Sequence, residues 1–271
     1  MRHWTLDDIS WDAFDPSKVD VEVVRIVKAA SLVEHNGGDY AAYLCNVFHD
    51  DTEFQAVARQ WANEEVQHGK ALARWAALAD PAWDFEAAFA EFLRGFRLPL
   101  AARDSVRGTR TGELIARCIV ETGTSSYYGA LAEAVDEPVL RQICLKIAAD
   151  ELRHYKLFYT HMKRYQAAER LGFWGRVRTG LVRILESEDD ELAYAYYAAN
   201  GAHGPYDRRR NSRAYARRAY AVYRQRHVER GVAMALKAMG LAPNGRLQRV
   251  LARLAARLMR ARASALARAG A

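Results

Sequence analysis

The sequence has few cysteines and few prolines, and it contains no long uncharged apolar run. Cys45, Cys118 and Cys144 are odd in number, widely spaced and set among apolar residues, which argues against a disulfide framework or a zinc site. No stretch of about 18 or more apolar residues is free of charge, so no transmembrane span is predicted. The first residues also lack the charged start and apolar centre of a signal peptide. We therefore expect a cytoplasmic protein with buried thiols.

The sequence also lacks segments that alternate apolar and polar residues as strands do. Ala, Leu, Arg and Glu dominate instead, and these residues favour helix. An all-α fold is predicted, with helices over residues 19–49, 52–79, 84–104, 111–134, 139–170, 174–186 and 189–199, and then two basic helices separated by residues 240–245. Asp51 or Thr52 is expected to cap the second helix, and Asp136 to cap the helix that has Pro138 in its first turn.

Charge divides the chain into two parts. The net charge is +7, but from Pro205 onward 17 Lys and Arg face only Asp207 and Glu229. The preceding part is therefore net acidic, and the two parts are expected to have different roles. We interpret residues 1–200 as a helical bundle and residues 201–271 as a basic helical extension, with residues 200–207 as the linker.

A Glu-x-x-His motif occurs twice, in "WANEEVQHGKAL" and in "IAADELRHYKLF". Helical spacing places each motif on one face with large apolar residues. These faces carry Trp61, Glu65, His68 and Leu72 in the first segment, and Ile147, Glu151, His154 and Phe158 in the second. Buried charge is unfavourable unless it is paired or binds a metal. No Lys or Arg occupies a matching position, so a metal is the economical explanation.

Two further glutamates match these motifs in height along the predicted helices. Glu34 lies 31 residues before Glu65, and Glu121 lies 30 residues before Glu151, with a turn midway in each interval. Each member of a pair is about 22 Å from its turn at about 1.5 Å per residue, so an antiparallel hairpin sets the two side by side. The interval from Glu34 to Glu121 is 87 residues, so the chain contains two copies of one hairpin.

Pairing the hairpins into a four-helix bundle assembles four carboxylates and two imidazoles. One Glu from each of two helices and a Glu-x-x-His from each of the others is the ligand set of carboxylate-bridged di-iron or di-manganese proteins. The predicted ligands are Glu34, Glu65, His68, Glu121, Glu151 and His154. Two ferrous ions would neutralise the four carboxylates, and a mixed Mn/Fe or an Mn pair is the alternative. At the first position Asp39 or His35 competes with Glu34.

Several neighbours of these residues have candidate supporting roles. Ligating histidines usually give their second N–H to a carboxylate or carbonyl. We hypothesise that Asp150 orients His68 across the bundle and that Glu64 or Arg153 completes this network beside Trp61; the alternative is a pair of partly exposed charges. The small residues that follow two of the glutamates, Gly37, Gly38 and Gly123 among them, either leave space for dioxygen and substrate or permit close helix packing.

At these motifs the sequence resembles the soluble acyl-carrier-protein desaturases of the ferritin-like superfamily. "WANEEVQHG", "LRQICLKIAADELRH" and "ETGT" are similar to the corresponding segments of that family, over about residues 20–165. The resemblance implies a ferritin-like bundle of two antiparallel hairpins with a long crossover, plus additional C-terminal helices. It implies iron at the six residues named above and a role for Thr124 in oxygen activation. The basic C-terminal region has no counterpart in that family.

The C-terminal residues 245–267 form an amphipathic pattern. Leu247, Leu251, Leu254 and Leu258 fall on one face, and arginines occupy much of the rest. Such a helix can lie on an anionic membrane, dock an acidic partner such as an acyl carrier protein, or contact phosphates. The other interpretation is a helix packed on the bundle with a solvated basic face. Base-stacking aromatics are not evident there, so a nucleic-acid partner ranks below an acidic protein.

The expected function is oxidation of an unactivated C–H bond in an apolar substrate by dioxygen at two iron ions. Fatty-acyl desaturation on acyl carrier protein is favoured by the resemblance, with electrons from a separate donor such as a ferredoxin and a homodimer as a further possibility. Related ferritin-like enzymes provide the alternatives, namely a hydroxylase, an N-oxygenase or an aldehyde-deformylating oxygenase. Iron handling without catalysis is the second alternative, although the cysteine pairs of rubrerythrin are absent.

Overall fold

A computed structural model describes residues 3–186, 190–201 and 204–269. Over these ranges the chain is helical and contains no strand, as predicted. The helices are α1 (Val21–His35), α2 (Gly37–Val47), α3 (Thr52–Ala79), α4 (Phe85–Gly95), α5 (Arg110–Ala134), α6 (Pro138–Glu169), α7 (Phe173–Leu185), α8 (Asp190–Ala199), α9 (Arg208–Ala221), α10 (Gln225–Ala238) and α11 (Arg246–Ala269). Residue 189, where α8 was expected to begin, and residues 202–203 of the predicted linker lie outside the described residues.

Two helical hairpins form the centre of the fold. α1 and α2 pack against α3, α5 packs along α6, and α3 contacts α6. The Asp51 carboxylate accepts a hydrogen bond from the Phe54 N–H at 3.0 Å and so caps α3 as predicted. The prediction of Asp136 as the cap of α6 is wrong. Glu137 takes this place because its buried carboxylate accepts from the Leu140 N–H at 2.7 Å.

The single helix predicted over residues 19–49 is wrong, because the chain breaks between α1 and α2. Asn36 leaves the helical conformation with a ψ of 7°, and its N–H is shared between the carbonyls of Leu32 and Val33. A Cβ added to the next residue, Gly37, would lie 2.6 Å from the Cβ of Glu65 on α3. The break therefore lies at a close approach of the two segments. The apolar residues keep their helical spacing across this one-residue break, so the sequence pattern does not reveal it.

Two other predicted helices differ from the structure. The helix predicted over residues 84–104 ends at Gly95, and the chain runs irregularly from there to α5. Pro99 disfavours helix in the residue before it, which explains the early end. The basic region forms three helices, not two, because a break at residues 222–224 separates α9 from α10. No glycine or proline marks that break, so it could not be predicted from the sequence.

The core of the hairpins consists of two apolar clusters. One is built around Leu32, Trp75, Leu131 and Ile147, and the other around Leu44, Phe54, Ile115 and Phe158. On α3, α5 and α6 the residues of the two clusters occupy opposite ends of the helix. A layer of polar residues lies between the clusters, at the level of the two Glu-x-x-His motifs. The core is thus apolar above and below one polar layer.

The remaining segments pack around this centre. Residues 3–18 form three short 3₁₀ turns, which are tied to α6 by a 2.9 Å hydrogen bond from the Ser10 N–H to Gln142. α8 packs against α1, α10 against α5, α9 against α8, and α11 against α9 and α10. The boundary near residue 200 stays a prediction. Cys118 and Cys144 are buried and Cys45 is half-buried, all as free thiols.

None of the described helices combines the length and the apolar character needed to cross a bilayer.

The close contact between α1 and α3 gives a matched pair of substitutions. A Cβ added to Gly69 would lie 2.5 Å from the backbone N of His35, whereas one added to Gly38 would meet nothing within 4 Å. We expect Gly69→Ala to lower the free energy of unfolding by about 1–3 kcal/mol because the two helices must separate. Gly38→Ala should raise it by about 0.5–1 kcal/mol through lower backbone entropy of the unfolded chain. Urea denaturation measures both, and an equal effect of the two would contradict the packing.

Candidate metal centre

The polar layer brings together all six residues that the sequence predicts as metal ligands. They come from α1, α3, α5 and α6, and each is at most 7 % exposed: Glu34, Glu65, His68, Glu121, Glu151 and His154. The two competitors of Glu34 lie elsewhere. His35 packs its ring edge-on against Phe85 and Phe89, and neither His35 nor Asp39 joins the cluster. Coordination of a metal by the six residues stays a prediction.

The six residues form two overlapping groups of four. Glu34, Glu65, His68 and Glu151 make one group, and Glu65, Glu121, Glu151 and His154 make the other. The candidate ligand atoms within each group lie within 4.8 Å of one another. Glu65 and Glu151, the glutamates of the two Glu-x-x-His motifs, belong to both groups. This sharing is the arrangement that two ions bridged by two carboxylates require.

Distances around the histidines show how each group is centred. Nδ1 of His68 lies 3.3 Å from Glu151 Oε1 and 3.7 Å from carboxylate oxygens of Glu34 and Glu65. Nδ1 of His154 lies 2.9 Å from Glu65 Oε1, and it lies 3.7 Å and 4.0 Å from oxygens of Glu121 and Glu151 respectively. Each imidazole therefore directs the same ring nitrogen toward three carboxylates.

Unpartnered polar atoms test whether this layer suits a metal. Nδ1 of His68, Nδ1 of His154, Oε1 of Glu65 and Oε1 of Glu151 are buried and make no hydrogen bond. Although His154 Nδ1 and Glu65 Oε1 are only 2.9 Å apart, their orientation does not meet hydrogen-bond geometry. Buried polar atoms normally have partners. Four orphaned atoms in one layer fit cations with one nitrogen and three carboxylate ligands each, a set that suits Fe or Mn.

The opposite ring nitrogens of both histidines are held by carboxylates. His68 Nε2 lies 3.0 Å from Asp150 Oδ2, which is the contact hypothesised from the sequence, and His154 Nε2 lies 2.9 Å from Glu64 Oε2. Arg153 joins the two acids, because its NH2 group donates to Asp150 at 2.5 Å and to Glu64 at 3.0 Å. Such contacts fix the orientation and tautomer of a ligating imidazole and leave its Nδ1 for the metal.

Trp61 and two residues that the sequence did not reveal complete the surroundings of the histidines. The Trp61 ring lies edge-on to His154, with centroids 6.4 Å apart. From the N-terminal segment, Trp4 Nε1 donates to Asp150 at 2.7 Å and its ring stacks on His68 at 5.9 Å, while His3 Nε2 lies 2.8 Å from the same Asp150 oxygen. No sequence motif marks His3 or Trp4, because their position depends on how residues 3–18 fold back.

Two hydroxyl groups contact the glutamates. The buried Tyr128 donates from its OH to Glu34 Oε1 at 2.5 Å. The Thr124 hydroxyl donates to Glu151 from a half-buried position. The neighbouring Gly123 is exposed, and a Cβ added there would meet nothing within 4 Å. At Gly37, in contrast, close packing against Glu65 leaves no free space.

The carboxylates are hard to ionise together. Burial, and then the charge of Glu65, raise the pKa of Glu34 to about 8. Burial and the charge of Glu151 likewise raise the pKa of Glu121 well above its usual range. Burial disfavours the cationic form of His154, but the attraction of the surrounding carboxylates outweighs this and raises its pKa well above the ordinary value. Ionisation of all four carboxylates is therefore unfavourable unless cations neutralise them.

No protein-family model matches the chain, and no match was found among curated proteins. The function of this site is therefore inferred from the geometry of its own residues.

Asp150 offers a test of the outer contacts of the site. We expect Asp150→Asn to weaken metal binding about 10- to 100-fold, because His68 loses the charged carboxylate that fixes its orientation and tautomer. Asp136→Asn, at an 88 % exposed side chain in the turn before α6, is the matched control and should bind metal as the wild type does. Competition with a chelating dye measures both affinities. Equal affinity of the two variants would show that the Asp150 contact does not support a ligand.

The raised pKa of Glu34 gives a pH dependence with a defined sign. Its protonated form stabilises the metal-free fold below the usual value of 4.5, and this contribution is lost as pH rises toward about 8. A metal needs the carboxylate and must displace the proton, so affinity increases over the same range. The rise in Tm caused by Fe(II) or Mn(II) should therefore be larger at pH 8 than at pH 6. Anaerobic thermal melts at matched metal concentration test this, and a rise that is equal at both pH values would contradict it.

Proposed function

We propose that the protein is a ferritin-like di-iron carboxylate oxidoreductase that uses dioxygen to oxidise a C–H bond of an apolar substrate. The observation that supports this most directly is the pair of four-residue groups sharing Glu65 and Glu151. Hairpin packing of α1–α3 and α5–α6 around that layer agrees with a ferritin-like bundle. The motif resemblance to acyl-carrier-protein desaturases adds the expectation of a fatty-acyl substrate.

The proposed centre would be held by the protein in a defined way. Glu34 and His68 would bind one ion, Glu121 and His154 the other, and Glu65 and Glu151 would bridge them. Two divalent ions balance four carboxylates in a core where uncompensated charge is unfavourable. When bound and reduced, such a centre reacts with dioxygen and supplies an oxidant able to remove hydrogen from an unactivated C–H bond.

The side chains around the ligands control orientation and proton position. Asp150 and Glu64, held together by Arg153, keep both imidazoles turned with Nδ1 toward the layer. The Tyr128 hydroxyl hydrogen-bonds Glu34 and limits its movement. Apolar clusters above and below exclude water from the layer. These features favour oxidation chemistry over exchange of loosely held ions.

The surface of α5 offers one approach to the layer. Gly123 is exposed and Thr124 is half-buried, and the Thr124 hydroxyl reaches Glu151 directly. A hydroxyl at this position can transfer a proton from the surface to the carboxylate layer, because it donates to a buried oxygen and is itself partly accessible. We assign Thr124 this proton-handling role, in agreement with the role that the motif resemblance implies.

Metal content and the reaction with oxygen test the proposal. Anaerobic loading should give about two Fe per chain, as the two groups require, and exposure to dioxygen should change the optical spectrum. Glu151→Ala removes a shared ligand and should abolish that change. Asp39→Ala alters an acid of α2, on the other hairpin and outside the cluster, and should preserve it. A metal-free protein with full oxidase activity, or an optical change that survives Glu151→Ala, would overturn the assignment.

A further inference from the structure

The exposed apolar side chains are concentrated on two helices. Of fourteen large apolar residues exposed among the described residues, nine belong to α7 and α11. They are Phe173, Trp174, Leu181, Ile184 and Leu185 on α7, and Leu247, Val250, Leu254 and Leu258 on α11. Scattered exposed apolar residues are normal on a soluble surface, but concentration on two elements indicates an interaction surface.

α11 has an apolar stripe that points away from the protein. Its packed side consists of small residues, with Ala252 and Ala256 buried against the neighbouring helices. Three of the four leucines predicted to share a face are 52–61 % exposed, and only Leu251 packs inward. Together with Val250 the exposed leucines follow the spacing i, i+3, i+7 and i+11, which forms one continuous stripe. The interpretation of α11 as a packed helix with only a basic solvated face is therefore incomplete.

α7 has a stripe of the same kind. Trp174, Leu181 and Leu185 follow the spacing i, i+7 and i+11, and Arg178 lies between them at i+4. Trp174 is 79 % exposed and Leu185 is 82 % exposed. Covering large apolar side chains of such exposure with an apolar phase lowers the free energy.

Both helices rest on the same part of the protein. Val177 of α7 and Leu251 of α11 pack against one apolar cluster, which also contains Met239 at the end of α10. A Cβ added to Gly180 of α7 would lie 2.5 Å from Met239, so α7 lies directly against the end of α10. Both helices thus contact the same apolar cluster with their inner sides.

The charge of these helices selects the partner. α7 carries three arginines and α11 carries seven, and neither helix contains Asp or Glu. A second copy of the same surface would set arginines against arginines, which is unfavourable. An anionic lipid bilayer matches both features, because the apolar side chains enter the acyl boundary while the guanidinium groups stay among the headgroups.

We propose that α7 and α11 together form a surface that binds anionic lipid bilayers without crossing them. Trp174, Leu185 and the exposed leucines of α11 enter the interface, and the arginines hold the phosphates. This surface is independent of the metal centre, which lies in the layer between the two hairpins. It would present the protein to apolar substrates that dissolve in the bilayer.

Vesicle sedimentation of the full chain tests this surface. The probes are vesicles of phosphatidylcholine alone and vesicles of an equimolar mixture with phosphatidylglycerol. Wild type should bind the mixed vesicles at least about tenfold more tightly, and high salt should weaken that binding. The triple substitution Leu247→Ser, Leu254→Ser and Leu258→Ser should reduce binding to mixed vesicles at least about tenfold.

A matched control uses exposed apolar residues outside the surface. Val21→Ser with Leu145→Ser replaces side chains that are 66 % and 56 % exposed and should leave vesicle binding unchanged. Circular dichroism verifies the folding of each variant. The ferrous and dioxygen optical change should persist in the triple variant, so failure of this proposal and failure of the proposed function are distinguishable.

A second measurement reports insertion directly. Tryptophan emission of the wild type should shift to the blue on addition of mixed vesicles, and Trp174→Phe should lose most of that shift. Folded wild type that does not bind mixed vesicles would overturn the proposal. A second outcome would also overturn it: binding that survives the triple leucine substitution but is lost in Arg253→Gln with Arg257→Gln. Such binding would be purely electrostatic, which fits an acidic protein partner better than a bilayer.

Discussion

Mutual repulsion of four carboxylates buried in one layer is the constraint on which the rest of the structure depends. Burial and the charge of Glu65 raise the pKa of Glu34 to about 8, and burial and the charge of Glu151 raise the pKa of Glu121 well above its usual range. Burial opposes the cationic form of His68 and His154, but the surrounding carboxylates outweigh it and raise the pKa of both imidazoles well above the ordinary value. The apolar clusters on both sides offer no solvent to screen the repulsion. Cations in this layer would remove the repulsion and satisfy the orphaned ligand atoms together.

Polar contacts to the outer ring nitrogens of the two histidines connect the buried layer with the surface. Asp150 accepts from His68, Trp4 and Arg153, so three separate parts of the chain meet at one carboxylate. Burial by itself would raise the pKa of this acid, but its hydrogen bonds, first with His68 and then with Arg153, hold it well below the usual value. Asp150 therefore stays ionised and can accept from the imidazole throughout the physiological range. The N-terminal segment thus contributes to the site although it lies outside the hairpins.

The basic C-terminal region is structurally connected to the hairpin that carries Glu121 and Glu151. α10 lies along α5, where a Cβ added to Gly231 would come within 3.1 Å of the Ser126 hydroxyl oxygen, and Tyr155 on α6 donates to the Met234 carbonyl at 2.9 Å. α11 then packs on α10 and turns its apolar stripe outward. The proposed lipid-binding surface and the proposed oxidation of apolar substrates are compatible in one chain, since both concern molecules that partition out of water.

The sequence by itself determined the all-helical fold and the gathering of the six candidate ligands, because helical period and equal distances from two turns constrain height along a hairpin. It also predicted the Asp150–His68 contact. Only the tertiary structure decided that Glu65 and Glu151 belong to both groups and that Trp4 and His3 reach Asp150. It also decided that Asn36 breaks the first helix and that the exposed leucines of α11 face outward. These features depend on the rotation of helices about their axes and on contacts between distant segments, which periodicity along one helix does not specify.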